Sequence, residues 1–266
     1  MEGVKRTGTM SLVSIAGIQV SRVGEAATLR RMSRWLEDAK PRRVATANLD
    51  FLRLAGRNAD LRDALRTADH VCADGAPLVW LSRLLRRPIR ERVTGADLAP
   101  ELVRLAAEQG HSVFLLGGES GVAARAAERL SREQPALRVA GISDTRVDLN
   151  DEAACERIAD EIRASGARLL LVALGCPKQD LFLRRYLDRT GCRIGIGVGA
   201  TLDFLAGRVP RAPRWMQVSG LEWTYRLLQE PRRLFSRYLL DGLFLLRILP
   251  AALPRSRRFA YPSLVK

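Results

Sequence analysis

The sequence predicts an α/β fold: a Rossmann-like, mostly parallel sheet with helices on both faces, followed by a C-terminal helical appendage. Three observations carry that expectation. From Val44 to Val198, short apolar runs alternate with longer stretches whose apolar residues recur every three to four positions, the pattern of strands joined by crossover helices. Several of the longer stretches enter from Asp, Asn or Pro and end on glycine, as helix starts and stops do. After Gly207 the alternation ends and basic residues accumulate. The chain is therefore divided into an α/β domain over 1–206 and a basic amphipathic appendage over 207–266.

In chain order, "RVATAN" reads as the first strand and "NADLRDALRTA" as a helix. "HVCAD" is the second strand, followed by the helical "GADLAPELVRLAAEQG". "SVFLLGG" and "LRVAGIS" are strands three and four, separated by the helical "GVAARAAERLSREQ". "DEAACERIADEIRASG" leads to the fifth strand, "RLLLVALG", and "KQDLFLRRYLDRTG" to the sixth, "RIGIGVG". The proline- and arginine-rich "RVPRAPRWMQ" shows no strand alternation. "GLEWTYRLLQEPRRLFSRYLLDGLFLLRILPAAL" predicts two helices meeting near Pro231. In the second, Leu234, Phe235, Tyr238, Leu239, Gly242, Leu243 and Leu246 share one half of the helical wheel. Arg233, Arg237 and Arg247 fall on the other half, interrupted by Leu240 and Phe244, which makes a basic amphipathic helix that is apolar almost all round towards its end.

The composition, 47% apolar and 27% charged over 266 residues, is that of a folded chain able to bury a substantial core. The N-terminal segment lacks a sustained apolar run with a small-residue cleavage site, so no signal peptide is expected. No stretch approaches the roughly 18 uninterrupted apolar residues of a spanning helix. Cys72, Cys155, Cys176 and Cys192 form no CxxC pair, which points to reduced thiols and a cytosolic compartment. The net charge of +15 is concentrated near the end: residues 207–266 hold 12 basic and 3 acidic side chains, against 32 and 26 in the first 206. An anionic partner is expected there.

Ligands of open parallel sheets bind beyond the carboxyl ends of the strands. The first strand brings Thr46, Asn48 and Asp50 to that end, and "VCADGAP" brings Asp74. A carboxylate closing a buried strand is costly unless it caps a helix or works in a crevice. "VFLLGGESG" sets Gly117 and Gly118 before a helix, where bare amides suit a phosphate. "VALGCPKQD" presents Lys178 and Gln179, and "GVGATLDFLAG" presents Asp203. Capping or turn roles remain open for Thr46, Asn48 and Asp203.

The two histidines, His70 and His111, have no partner at metal-ligand spacing and read as structural. Neither a Walker motif, a Gly-x-Ser-x-Gly elbow nor an Asp-x-Asp pair is present. A site without histidine or metal must use a carboxylate as general base. It must meet leaving-group charge with arginines, lysines and backbone amides.

Together "TANLDFL", "ADG" at 73–75, "RVTGADL", "LLGG", "LGCPKQD", "GVGATLDFLAGRVPRAPRW" and "GLEWTYRLLQEPRRLFSRYL" resemble the WecG/TagA/CpsF family, glycosyltransferase family 26. The resemblance runs from about Ile18 to about Leu240, and its C-terminal part is the most specific. It implies an inverting glycosyltransferase of bacterial cell-envelope or exopolysaccharide biosynthesis. Such an enzyme moves N-acetylmannosamine, its uronic acid or glucose from a UDP-sugar to a polyprenyl-diphosphate-linked saccharide. It would work as a cytoplasmic protein, peripheral on the inner face of the cytoplasmic membrane, without a metal or other cofactor. Asp74 is implied as the catalytic base, with Thr46, Asn48, Arg92 and Gln179 holding sugars. Gly117, Gly118 and Asp203 would meet the nucleotide, and Arg226, Arg233 and Arg237 (or Arg232) the diphosphate. The chain departs from the family's Gly-x-Pro-x-Gln-Glu in carrying Asp180 after Gln179, with Leu181–Leu183 where an aromatic is common. That shorter carboxylate could alter sugar preference.

Three rival readings stand beside this one. A non-catalytic, basic peripheral membrane-binding protein would account for the tail but not for the polar strand ends. Nucleic-acid binding is disfavoured because apolar residues interleave with the arginines and no recognised motif is present. A dehydrogenase on the same sheet lacks its glycine fingerprint. The apolar tail helix would also suit self-association into a homo-oligomer.

Overall fold

The structure, a computed structural model, describes residues 11–252; the ends of the two assigned regions, 1–10 and 253–266, lie outside it. The described residues begin with a hairpin absent from the expectations above, β1 (Leu12–Ile15) and β2 (Ile18–Ser21). Its two turn residues, Ala16 and Gly17, both have positive φ, the tight turn whose twist matches paired strands. Helix α1 (Glu25–Glu37) follows.

All six expected strands form: β3 (Arg42–Ala47), β4 (His70–Ala73), β5 (Ser112–Gly117), β6 (Arg138–Ser143), β7 (Leu169–Ala173) and β8 (Ile194–Gly197). They make one parallel sheet in the order β4-β3-β8-β7-β5-β6. Between β3 and β4 lie α2 (Leu49–Ala55) and α3 (Ala59–Arg66), and between β4 and β5 lie α4 (Ala76–Leu84) and α5 (Gly95–Glu108). Single helices α6 (Val122–Glu133), α7 (Glu152–Ser165) and α8 (Lys178–Thr190) make the remaining crossovers. After β8 come α9 (Thr201–Leu205), α10 (Arg214–Ser219), α11 (Glu222–Gln229) and α12 (Pro231–Ala252).

Strand alternation decides which helix covers which face. Val113, Leu115, Leu169, Leu171, Ile194 and Ile196 pack with residues of α1, α5, α6 and α9. The intervening Phe114, Leu116, Leu170 and Val172 pack with α7 and α8. Strand β8 reads Ile-Gly-Ile-Gly because α8 presses on one of its sides. A β-carbon on Gly195 would lie 2.5 Å from Leu183 Cδ2, and one on Gly197 2.5 Å from Gln179 Nε2. The hairpin, α2, α3, α4 and α12 complete that side around β3 and β4. Helices leaving β5 and β8 thus cover one face, and those leaving β3 and β7 the other. Chains departing in opposite directions open a crevice at the strand ends.

The C-terminal helices dock on this body, but not through the whole stripe expected for α12. Its buried positions are Leu234, Asp241 and Ile248, a repeat of seven. Of the predicted apolar half, Phe235, Leu239, Leu243 and Leu246 stand 54–66% exposed. The wheel grouped residues correctly by polarity; the docked stripe is centred one position away, because the ion pairs of Asp241 and Arg237 with α2 set the helix rotation.

Candidate active site

Asp74 follows β4 and is partly buried. It does not cap the helix after it: the N-cap of α4 is Gly75, with no side-chain bond. The Asp74 carboxylate instead accepts the N–H of Gly95 at 3.3 Å, in the first turn of α5, whose own N-cap is Thr94. Asp74 therefore takes one of the orphan amides that a helix start leaves unpaired. Burial nevertheless dominates and raises its pKa to about 6, opposed by the Gly95 amide and by the charges of Arg92 and Arg226, and reinforced by Glu222. A carboxyl poised there can accept a proton near neutral pH.

Thr46 and Gln179 form the floor beneath this position, both buried. The β3–β8 ladder ends at Val44↔Ile196, whereas β3–β4 pairing continues to Ala47↔Ala73. Where the ladder stops, Thr46 Oγ1 donates to the Gly197 carbonyl at 2.8 Å. Gln179 Oε1 accepts the N–H of Gly199 at 3.1 Å. Asn48 caps α2 by accepting the N–H of Phe51 at 3.2 Å, and its β-carbon lies beside Gly75.

The appendage crosses above Asp74. Gly220, at φ 78° at the end of α10, comes so close to Ala76 that a β-carbon there would sit 2.8 Å from that of Ala76; only glycine satisfies both the left-handed backbone and the contact. Arg92 donates to Glu222 Oε2 at 2.8 Å and to the Gln217 carbonyl at 3.2 Å. Arg211 bridges Glu222 (3.2 Å) and Asp97 (2.7 Å), and Asp97 accepts the Thr94 hydroxyl at 2.7 Å. Arg226 lies 5.7 Å over the Phe204 ring, and among the described residues it makes no salt bridge.

The other arginines of the appendage are engaged elsewhere. Arg233 is exposed and paired with Glu230. Arg237 Nε lies 3.0 Å from Asp50 Oδ2 but off the donor direction, so this is an ion pair rather than a hydrogen bond. Asp50, expected at the open strand end, is instead buried in the first turn of α2. There it also pairs with Arg53, which binds Asp241 of α12 at 2.7 Å. Arg232 is exposed.

Gly117 and Gly118 end β5, four strands from β4, or roughly 19 Å at ordinary strand spacing. A β-carbon on Gly117 would lie 2.7 Å from the Ala173 carbonyl, and Gly118 donates its N–H to that same oxygen at 3.0 Å. Asp203, on α9, accepts from Arg208 at 3.0 Å, and Arg208 reaches Glu119 at 2.7 Å. Arg208 thus links Asp203 to Glu119, the residue after the Gly117–Gly118 turn. Lys178 reaches the Val147 carbonyl at 3.5 Å. Asp180 lines a small cavity with Arg43, Ala64, Ala68 and Leu183 under the sheet. Burial raises its pKa to about 7.

Outside the crevice, His70 is buried within 3.3 Å of Thr28 and 3.4 Å of Arg31. Burial, with help from Arg31, lowers its pKa to about 4. His111 meets Glu37 at 2.9 Å. All four cysteines are free. Sequence reasoning singled out neither Glu222, Arg211 nor Asp97. Arg211 and Glu222 lie in "RAPRW" and "GLEWTYRL" and Asp97 in "RVTGADL", segments without any local pattern naming a partner.

Among the described residues no helix is long and apolar enough to cross a membrane. Over residues 13–258 the chain matches the model of the Glycosyl transferase WecG/TagA/CpsF family. It is 34% identical over 199 residues to the N-acetylglucosaminyldiphosphoundecaprenol N-acetyl-beta-D-mannosaminyltransferase of Bacillus spizizenii, covering 75% of this chain and 76% of that one. The protein of the same name from Bacillus subtilis is 31% identical over 190 residues, 71% and 72% of the two chains. With the sheet, the strand-end carboxylate and the docked arginine-rich helices in view, the conclusion is direct: this chain belongs to the WecG/TagA/CpsF glycosyltransferase family.

Proposed function

We propose that the protein transfers an N-acetylmannosamine-type sugar from a UDP-sugar to an amino sugar carried on a polyprenyl diphosphate, with inversion at the anomeric carbon. The observation that carries this reading is Asp74. It is a partly buried carboxylate with a pKa near 6, facing Arg92 and Arg226 across the mouth of the crevice. The names of the two Bacillus relatives supply the acceptor and the transferred sugar.

In this reading Asp74 removes the proton from the acceptor hydroxyl as that oxygen attacks the anomeric carbon. The bond from that carbon to the diphosphate breaks, and its electron pair leaves with the diphosphate oxygen. Arg226 is the cation best placed to meet that charge, since no carboxylate among the described residues pairs with it. Arg233 and Arg237 would join by exchanging Glu230 and Asp50 for phosphate oxygens, each such charged hydrogen bond being worth roughly 1.5–3 kcal/mol. The uridine would lie along the crevice toward Asp203 and the Gly117–Gly118 turn.

The same reading places the protein on the membrane that holds its lipid-linked acceptor. Phe235, Leu239, Leu243 and Leu246 form an exposed stripe on α12, and Trp215, Val218 and Leu228 are exposed on α10 and α11. Exposed Arg214, Arg232 and Arg247 accompany them, the pairing of apolar and basic groups that suits an anionic bilayer surface. Residues 207–252 would therefore both complete the site and hold it at the lipid. The test is a panel of UDP-sugars incubated with a short-chain lipid diphosphate bearing N-acetylglucosamine. UDP release with UDP-N-acetylmannosamine above all other donors is expected; no release with any donor would sink the proposal.

A further inference from the structure

Besides Arg226 over the Phe204 ring, α11 is held to the sheet domain through the side chain of Glu222. Glu222 is 13% exposed and divides its two oxygens between arginines of different origin: Oε2 to Arg92, before α5, and Oε1 to Arg211, before α10. Arg211 continues to Asp97, and Asp97 to Thr94, the cap of the helix whose first amide binds Asp74. Both donors of Arg92 recorded in hydrogen bonds go to the appendage, to Glu222 and to the Gln217 carbonyl. A neutral side chain at 222 would leave two guanidinium groups, 19% and 22% exposed, facing Asp97 and, for Arg92, Asp74. Removing one member of a buried charge cluster is more damaging than the pair itself is stabilising.

We propose that Glu222 is a positioning residue for sugar transfer: by bridging Arg92 and Arg211 it latches the appendage over the crevice and fixes the Arg92 guanidinium beside Asp74. This rests on the transfer reaction proposed above. Nothing in it requires Glu222 to touch a substrate. The charged and polar groups that face Asp74 are Arg92 and the Gly95 amide on the body side, with Glu222 and Arg226 from α11. Glu222 is the one carboxylate among them, so its loss has a defined electrostatic sign as well as a mechanical effect.

The test compares the full chain with Glu222→Gln, which keeps size and removes charge, and Glu222→Asp, which keeps charge and shortens reach. In Glu222→Gln, amide hydrogen exchange over 214–229 should accelerate while that of the β5, β7 and β8 amides stays unchanged. The kcat should fall about 10- to 100-fold, as displaced catalytic geometry does. The acid limb of kcat/KM should move to lower pH, because a like charge beside Asp74 has gone; Glu222→Asp should keep the limb and recover part of kcat. Arg211→Gln breaks the same bridge from its other end and should match Glu222→Gln in exchange and kcat, with the double variant little worse than either. Should Glu222→Gln fail to fold, Arg211→Gln decides the matter by the same two readouts. Unchanged exchange, or faster exchange with unchanged kcat, overturns the latch. An unmodified chain that transfers no sugar would instead refute the proposed reaction, and the exchange result would still decide the latch.

Discussion

The Asp74 carboxylate and the Gly95 amide, 21 residues apart, meet at 3.3 Å where the end of a strand faces the start of a helix. Helix α5 offers a carboxylate a favourable local field, yet the pKa of Asp74 still rises to about 6 because burial outweighs the amide and the two arginines. The free enzyme's base should therefore titrate inside the physiological range. With transfer as the assay, log kcat/KM should be level above about pH 7 and fall with unit slope below about pH 6. A profile flat down to pH 5 would remove Asp74 from the role of base.

Substituting Asp74→Asn should separate activity from stability. Loss of a general base should cost about 10²- to 10⁴-fold in rate. The folded-state pKa of Asp74 is raised from 3.8 to about 6, so its protonated form is the one that folding favours. Its contribution is fully present below about pH 4 and is lost as pH rises through 6. At pH 8 ionised Asp74 thus opposes folding, by up to about 3 kcal/mol at 1.36 kcal/mol per unit, and asparagine should relieve part of that while still accepting the Gly95 amide. Urea melts at pH 8 and pH 4 check this: a stability gain at pH 8 that vanishes at pH 4.

A methyl group at position 197 has no room. Gly197→Ala would place its carbon 2.5 Å from the Gln179 amide, itself buried and bonded to Gly199. The cost should be about 1–3 kcal/mol, typical of overpacking, with loss of activity as the floor of the crevice shifts. Denaturant melts read the first and transfer assays the second. An unperturbed Gly197→Ala would show that Gln179 can leave its position freely.

The two stripes of α12 should answer differently to mutation. Leu234→Ala or Ile248→Ala, at positions 1% and 2% exposed, should destabilise the protein by about 2–5 kcal/mol. The pair Leu239→Ser and Leu243→Ser, at positions more than half exposed, should change stability by less than about 1 kcal/mol yet weaken binding to vesicles containing anionic lipid. Equal vesicle binding by this double variant and the unmodified chain would exclude the stripe as a lipid contact.

Much of the architecture was legible in the chain. Every run read as a strand between Val44 and Val198 became one, and every stretch read as a helix between them became a helix, because each pattern reports which side of an element meets the core; α2 and α4 were not anticipated, and the apolar run "APLVWL" forms α4. The hairpin at Leu12–Ser21 escaped because its turn, Ala16-Gly17, lacks the asparagine or aspartate of the commonest signals. The stripe of α12 was misplaced because a helix apolar almost all round has no unique docking face. Asp50 was misplaced because α2 was not anticipated, so neither its i,i+3 partner Arg53 nor the distant Arg237 was read from the chain.

What the sequence determined by itself is the succession of the six parallel strands with a crossover helix between each, and the arrival of Asp74, Thr46 and Gln179 at strand ends on one side of a sheet. These follow from short-range periodicity and from the rule that parallel strands open together. Only the tertiary structure decided the raised pKa of Asp74, the arginines that face it and the carboxylate that holds Arg92 among them. Arg92 and Glu222 are 130 residues apart, and desolvation and Coulomb forces act through the space between side chains, not along the chain that joins them.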